Sequence, residues 1–213
     1  AKLKEIDDQW QSLQATTWTT SDDIVKNYNA LTSDILTLMQ NVSNNFDLLL
    51  AESKETFNLI YNVSIELPKI TEQYGQLRAL GVNVLNSDKI TEAQLNKIDS
   101  LAYPMQEALD RIDTSIAITM ANDELKDALQ AVYDQSNEST DVYIAALDKL
   151  QDGAISSTDY YELATTAIND KFDFYATSLN VLKTTLNDQY NALKHKTTLV
   201  CIALVVLYES RSE

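Results

Sequence analysis

Residues 60–84 read IYNVSIELPKITEQYGQLRALGVNV, and their apolar positions recur at alternating steps of three and four. The members of this stripe are Ile60, Val63, Leu67, Ile70, Tyr74, Leu77, Gly81 and Val84. Such spacing predicts a helix that buries one face against other helices, as in a bundle or coiled coil. Pro68 lies inside the stripe and cannot donate a backbone hydrogen bond, so it predicts a kink or a locally broken bond.

Similar stripes lie on both sides of this one. The first predicts one long helix over about residues 3–50, whose weakest part is the β-branched, polar segment 16–23 (TTWTTSDD), a candidate for a bend. A later stripe over 95–120 slips in phase at 121–123 and resumes to 150, which fits either one kinked helix or two tightly joined helices. The last stripe places Ala164, Ile168, Phe172, Tyr175, Leu179 and Leu182 on one apolar face.

Signals that start and stop helices separate these stripes. Thr91 followed by Gln94 resembles a capping box, which opens a helix. Gly153 is a helix-stop glycine, and Ser156 begins a run of residues suited to an N-cap. The pattern therefore predicts an all-α fold: an elongated antiparallel bundle of four long helices, or of six in two stacked modules if some are broken.

Composition excludes several classes of protein. The 213 residues carry a net charge of −16 and include only 3 Gly, 1 Cys and 1 His. Few glycines argue against turn-rich sheets, and single Cys and His residues exclude a cysteine-based zinc site or a multi-histidine site. The strong acidity argues against nucleic acid as a partner.

The final apolar segment, 197–208, differs from the stripes because it is apolar on every side. Its 12 residues are fewer than the ~20 needed to cross a bilayer. We interpret 1–196 as a helical domain, 197–208 as the start of a truncated transmembrane helix and 209–213 as a tail. The alternative is a buried or disordered terminal helix.

Two arginines within the helices need a reason in so acidic a chain. If a turn near Asp88 joins antiparallel helices, facing residue numbers sum to about 177, which places Arg78 opposite Asp99 and Arg111 opposite Glu66. Two structural ion pairs are then the simplest interpretation. The functional alternative gives Arg78 a carboxylate-bearing ligand, with Tyr74 and Asn83 nearby on the same helix.

No residue pattern predicts catalysis, a metal site or a cofactor. His195 lies among lysines beside the apolar segment, and Cys201 lies within that segment as a small hydrophobic residue. Gly81, on the buried stripe, predicts a close crossing of another helix, either within the monomer or across a dimer.

Two runs carry a resemblance to a known family. The first comprises Glu66–Ile70 (ELPKI) and Tyr74–Gly81 (YGQLRALG); the second comprises Ile155–Tyr161 (ISSTDYY) and Thr165–Asp170 (TTAIND). The chain resembles the helical extracytoplasmic sensor domains of bacterial methyl-accepting chemotaxis receptors. Related input domains belong to histidine kinases and diguanylate cyclases.

This resemblance implies a ligand-sensing domain that faces the periplasm and is anchored in the bacterial inner membrane. The expected partners are an unknown small-molecule ligand or a periplasmic binding protein, together with a second copy in a parallel homodimer. The last helix, over about 158–208, would pass the signal to a cytoplasmic module. The competing hypothesis is a membrane-anchored scaffold without a ligand. A sensor needs a gap lined by polar groups, whereas a scaffold should be dry along its core.

Overall fold

The computed structural model of the chain describes residues 2–45, 51 and 53–209, and within these ranges it contains helices and no strands. The helices are α1 (Lys2–Ala15), α2 (Ser21–Asn45), α3 (Lys54–Tyr61), α4 (Leu67–Leu85), α5 (Glu92–Thr119), α6 (Asp123–Gln151) and α7 (Ser157–Glu209). A π-helical turn, Asn62–Glu66, joins α3 to α4. Counting that continuous run once gives six described helices, so the all-α bundle is confirmed in its six-helix form.

The prediction of one long first helix is wrong. α1 ends at Ala15, α2 begins at Ser21, and the two fold back as a hairpin in which Lys2 donates to Asp34 over 3.1 Å. Trp10 meets Tyr28 edge to face, with ring centroids 6.2 Å apart. The break falls in the β-branched segment, where helix propensity is lowest. The end of the predicted helix, residues 46–50, lies outside the described residues.

The disturbance predicted at Pro68 takes the form of the π-helical turn immediately before it. The N–H of Leu67 bonds to the carbonyl of Asn62, five residues back. The wider turn directs two buried polar side chains, Asn62 and Glu66, towards α5. A single π-helical turn inside an α-helix is a local change of register, and the helix continues beyond it.

Helices α4 and α5 form the predicted antiparallel pair. Asn62 donates to the Ser115 hydroxyl over 2.7 Å, and Arg111 donates to both oxygens of Glu66 over 3.3 Å. Both pairs of residue numbers sum to 177, so the predicted register and the Arg111–Glu66 ion pair are confirmed. The predicted capping box at Thr91 is also present.

Residues 120–122 form a tight turn, which decides between the two interpretations of the phase slip. Asn122 caps α6 by accepting from the N–H of Leu125 over 3.0 Å. At the other end of α6, Gly153 has a φ of 64°, and Ser156 accepts from the N–H of Asp159 at the start of α7. The predicted helix stop and the following cap are confirmed.

Helices α3 to α7 enclose one apolar core, and α7 contacts α3, α4 and α6 within it. The predicted core face of α7 is partly wrong: Phe172 is 50% exposed and Leu179 is 45% exposed. Lys171, Phe174 and Ser178 are buried instead. The buried face advances by steps of three and four through Ala164, Ala167, Lys171 and Phe174, so apolar character alone misplaced it by one residue.

Helix α7 is the longest element, about 80 Å at ~1.5 Å per residue for 53 residues. No helix among the described residues is both long and apolar enough to cross a membrane. The interpretation of 197–208 as the start of a longer span stays a prediction.

Candidate functional site

Helix α4 presents two different faces to its surroundings. One face contacts α7 through Tyr74, Leu77, Arg78 and Gly81. The other face borders a cleft through Glu72, Gly75, Gln76, Ala79, Leu80 and Asn83. Both sets follow the three-and-four spacing of a helix face. Any change in the position of α4 therefore affects the cleft and α7 together.

The closest approach of α4 to α7 is at Gly81. A methyl group built on Gly81 would overlap the ring of Tyr160, whose hydroxyl donates to the carbonyl of Leu77 over 2.9 Å. The close crossing predicted at Gly81 is confirmed, and it lies within the monomer. Only a residue without a side chain leaves room for the ring there.

Three buried tyrosines form a polar network beneath this crossing. The hydroxyls of Tyr143 and Tyr160 lie 3.2 Å apart, and Tyr143 also donates to the carbonyl of Tyr74 over 3.3 Å. The Tyr74 hydroxyl lies 2.9 Å from the Thr140 hydroxyl. Burial raises the pKa of all three phenols, that of Tyr160 to about 12. These phenols are neutral, and each hydroxyl has a hydrogen-bond partner, namely the Leu77 carbonyl, the Tyr74 carbonyl or the Thr140 hydroxyl, as expected of buried polar groups.

Arg78 does not meet Asp99, so that predicted ion pair is wrong. Its guanidinium donates to the Thr165 hydroxyl over 2.9 Å and lies 5.1 Å from the centre of the Tyr161 ring, both on α7. Asp99 accepts instead from Gln151 over 2.9 Å. The register was right, but position 78 faces α7 rather than α5. Among the described residues no carboxylate lies within ion-pair distance of Arg78.

The cleft lies between α2, α4 and α5 and has a volume of about 460 Å³. Gly75 borders it, and a Cβ added there would point into open space. Apolar and polar groups both line it. They comprise Ile24, Val25, Tyr28, Asn29 and Thr32 of α2, the α4 face already described, and Lys97 and Leu101 of α5. The volume and mixed lining are typical of small-molecule pockets.

The three residues predicted to bind a ligand do not converge on one site. Asn83 lines the cleft, Arg78 lies on the α7 side of α4, and Tyr74 is fully buried in the core. Sequence reasoning missed Gly75 and the α2 residues of the cleft. The signal for Gly75 was present, since the polar and small residues from Glu72 to Asn83 recur at helical spacing.

Other concave regions lie elsewhere. A groove of about 430 Å³ between α5 and α6 is lined by acidic residues, including Asp110, Asp113 and Asp141. A polar cavity of about 570 Å³ lies where the starts of α3 and α6 meet α7. In the part of the chain that the structure describes, no group of three or more His, Cys, Asp or Glu residues is placed to hold a metal ion. His195 and Cys201 are exposed on α7.

The chain was compared with protein-family models, curated proteins and solved structures, and nothing matched in any of the three comparisons.

Proposed function

We propose that this chain is the ligand-sensing extracytoplasmic domain of a bacterial transmembrane receptor of the chemotaxis type. The observation that carries the proposal is the double contact of α4, whose one face borders the cleft and whose other face packs on α7. A ligand in the cleft contacts α4, the helix that packs on α7, the longest helix of the fold. The sequence resemblance supplies the membrane topology: the domain faces the periplasm, and α7 leads into the inner membrane.

The cleft favours a small amphipathic molecule. Tyr28, Leu80 and Leu101 offer apolar surface, while Gln76 and Asn83 offer amide donors and acceptors. Glu72 and Lys97 supply one charge of each sign. Arg78 lies on the opposite face of α4 and does not line the cleft. It is a separate candidate contact for a carboxylate, because Tyr161 and Thr165 hold its guanidinium without neutralising it.

Signalling then requires two packings of similar energy, one of which the ligand favours. The contact of Gly81 with Tyr160 converts a displacement of α4 into a displacement of α7, because no empty space separates the ring from the backbone. Helix shifts of about 1–2 Å are the usual scale of such changes. Because α7 runs without interruption from Ser157 to Glu209, the shift reaches its far end.

A thermal-shift screen against organic acids, amino acids, amines, sugars, nucleobases and divalent cations tests the proposal. A compound at 100 times its dissociation constant should stabilise the protein by about 2.7 kcal/mol. Each active compound is then tested on Gly75→Met, whose side chain enters the cleft, with Gly75→Ala as the matched control. We expect the shift to persist in Gly75→Ala and to disappear in Gly75→Met.

Other outcomes separate the alternatives. No shift from any compound class would contradict small-molecule sensing and favour either a periplasmic binding protein as the partner or the scaffold without a ligand. A shift that survives Gly75→Met but disappears in Arg78→Met would move the ligand to the α7 face. The parallel homodimer, and the choice among chemotaxis, histidine kinase and cyclase output, remain part of the proposal.

A further inference from the structure

Lys171 is a fully buried lysine on the face of α7 that packs against the other helices. Its relative exposure is 0%, and its Nζ atom has no hydrogen-bond partner. An ammonium in such a place is costly, because it has lost its hydration and gained no acceptor. A buried titratable group without partners calls for an explanation.

Titratable groups on four helices lie near enough to Lys171 to act on its charge. The centre of the Tyr74 ring on α4 lies 5.9 Å from Nζ, at the outer limit of cation–π distance, where the attraction is too weak to replace the lost hydration. Asp113 on α5, Asp141 on α6 and Asp170 on α7 act on it through space. Neutral donors hold two of these carboxylates, since Tyr133 donates to Asp113 over 2.8 Å and Gln135 donates to Asp170 over 3.0 Å.

Burial lowers the pKa of Lys171 to about 8, and the three aspartates oppose that shift only in part. The ammonium is thus the main form at neutral pH, but it loses its proton under mildly alkaline conditions. The neutral amine needs neither hydration nor a counter-charge, so it fits the apolar surroundings better.

We propose that Lys171 is a proton-controlled lock on α7, whose charged form loosens the packing of α7 on α4 and whose neutral form tightens it. The lock belongs to the core and needs no ligand, so it goes beyond the proposed sensing function and is tested separately from it. Binding or release of a proton controls it, and the structural change occurs in the packing between α4 and α7 that the proposed function also uses.

The sign of the effect follows from proton linkage. Between the folded pKa and the ordinary lysine value of 10.5, the unfolded chain binds more protons than the folded one. Stability therefore rises with pH through this window. Tyrosines with raised pKa act in the opposite direction above about pH 10, so the measurement belongs below that value.

The experiment is an NMR titration of the Lys171 side chain in the whole chain without ligand, together with thermal unfolding of Lys171→Met. Lys183→Met, an exposed lysine on the same helix, is the matched control. We expect a titration midpoint near 8, with ring signals of Tyr74 and Tyr160 moving at the same midpoint. The excess melting temperature of Lys171→Met over wild type should shrink between about pH 7 and 9.5, whereas Lys183→Met should show no such trend.

Three results would overturn the lock. A Lys171 midpoint near the ordinary 10.5 would mean that its charge costs nothing. Ring signals that ignore the Lys171 midpoint would separate its charge from the α4–α7 packing. A melting-temperature difference between Lys171→Met and wild type that stays constant with pH would show that the charge of Lys171 does not affect stability. Because the titration uses the unmodified protein, it decides the matter even if Lys171→Met does not fold.

Discussion

Tyr160 lays its ring on the backbone of Gly81 and donates its hydroxyl to the carbonyl of Leu77 one turn earlier. The apolar and polar parts of one side chain thus hold α4 and α7 together. A ring packed directly on backbone fixes the distance between two helices, because the backbone cannot yield and the ring cannot change rotamer without losing the contact. This junction joins α7 to the helix whose opposite face borders the cleft.

Gly81→Ala should destabilise the protein by about 1–3 kcal/mol, since overpacking forces the Tyr160 ring to move. Gly75→Ala is the matched control, on the same helix and facing open space. It should be neutral or stabilising by about 0.5–1 kcal/mol, because alanine favours helices more than glycine does. Denaturant unfolding measures both variants. Equal effects of the two substitutions would contradict the close approach at Gly81.

Arg111→Met should lower the free energy of unfolding by about 1–3 kcal/mol, because the buried Glu66 carboxylate would keep only the Tyr61 hydroxyl as a donor. The side chain of Glu66 is 4% exposed, whereas that of Arg111 is 43% exposed. In a Glu66→Gln background the same substitution should cost less, since the amide carries no charge. A double-mutant cycle measures this coupling. Additive costs would show that the pair contributes nothing.

The fold was largely predictable because its helix signals are local. The capping box at Thr91, the stop at Gly153 and the antiparallel register at Glu66 and Arg111 depend on neighbouring residues or on one turn. The prediction of one long first helix was wrong because no local signal marks the point where the chain reverses. The apolar stripe skips one heptad between Thr17 and Ile24 and then resumes in phase, so periodicity cannot detect that the β-branched residues there end the helix and the chain reverses.

Alkaline conditions should destabilise the protein through its buried tyrosines. Burial raises the pKa of Tyr160 and Tyr133 to about 12, so the folded state retains protons that the unfolded chain loses above the ordinary value of 10. Stability therefore falls as the pH rises from 10 towards 12. Tyr160→Phe should flatten this fall, and the exposed Tyr103→Phe should not. The free energy of unfolding is measured at each pH, with tyrosinate absorbance reporting ionisation. A dependence on pH that Tyr160→Phe leaves unchanged would contradict the prediction.

Arg78→Met should cost about 1 kcal/mol of stability, because one partly exposed cation–π contact and one hydrogen bond are each modest. The same substitution should have a larger effect on the binding of a carboxylate at Arg78. If a carboxylate binds outside the cleft, so that its melting-temperature shift persists in Gly75→Met, the shift should disappear in Arg78→Met and weaken in Arg78→Lys, which lacks the bidentate guanidinium. Retention of the full shift in Arg78→Met would limit Arg78 to a structural role.

The candidate site was less predictable than the fold because it depends on tertiary contacts. Arg78 and Asn83 were chosen for their chemistry on one helix, yet a helix turns them to opposite sides. The cleft needs α2, whose reversal the sequence did not reveal. Lys171 was hidden because a charged residue is expected to face solvent, although its spacing from Ala167 and Phe174 fits the buried face.

The central claim is that α4 couples the cleft to α7. The most direct measurement is hydrogen–deuterium exchange across residues 157–182 in wild type, Gly75→Ala and Gly75→Met, because methionine fills the cleft without touching α7. We expect Gly75→Met, but not Gly75→Ala, to change exchange around Tyr160 and Thr165. Changes confined to α2, α4 and α5, with α7 identical in all three proteins, would contradict the coupling.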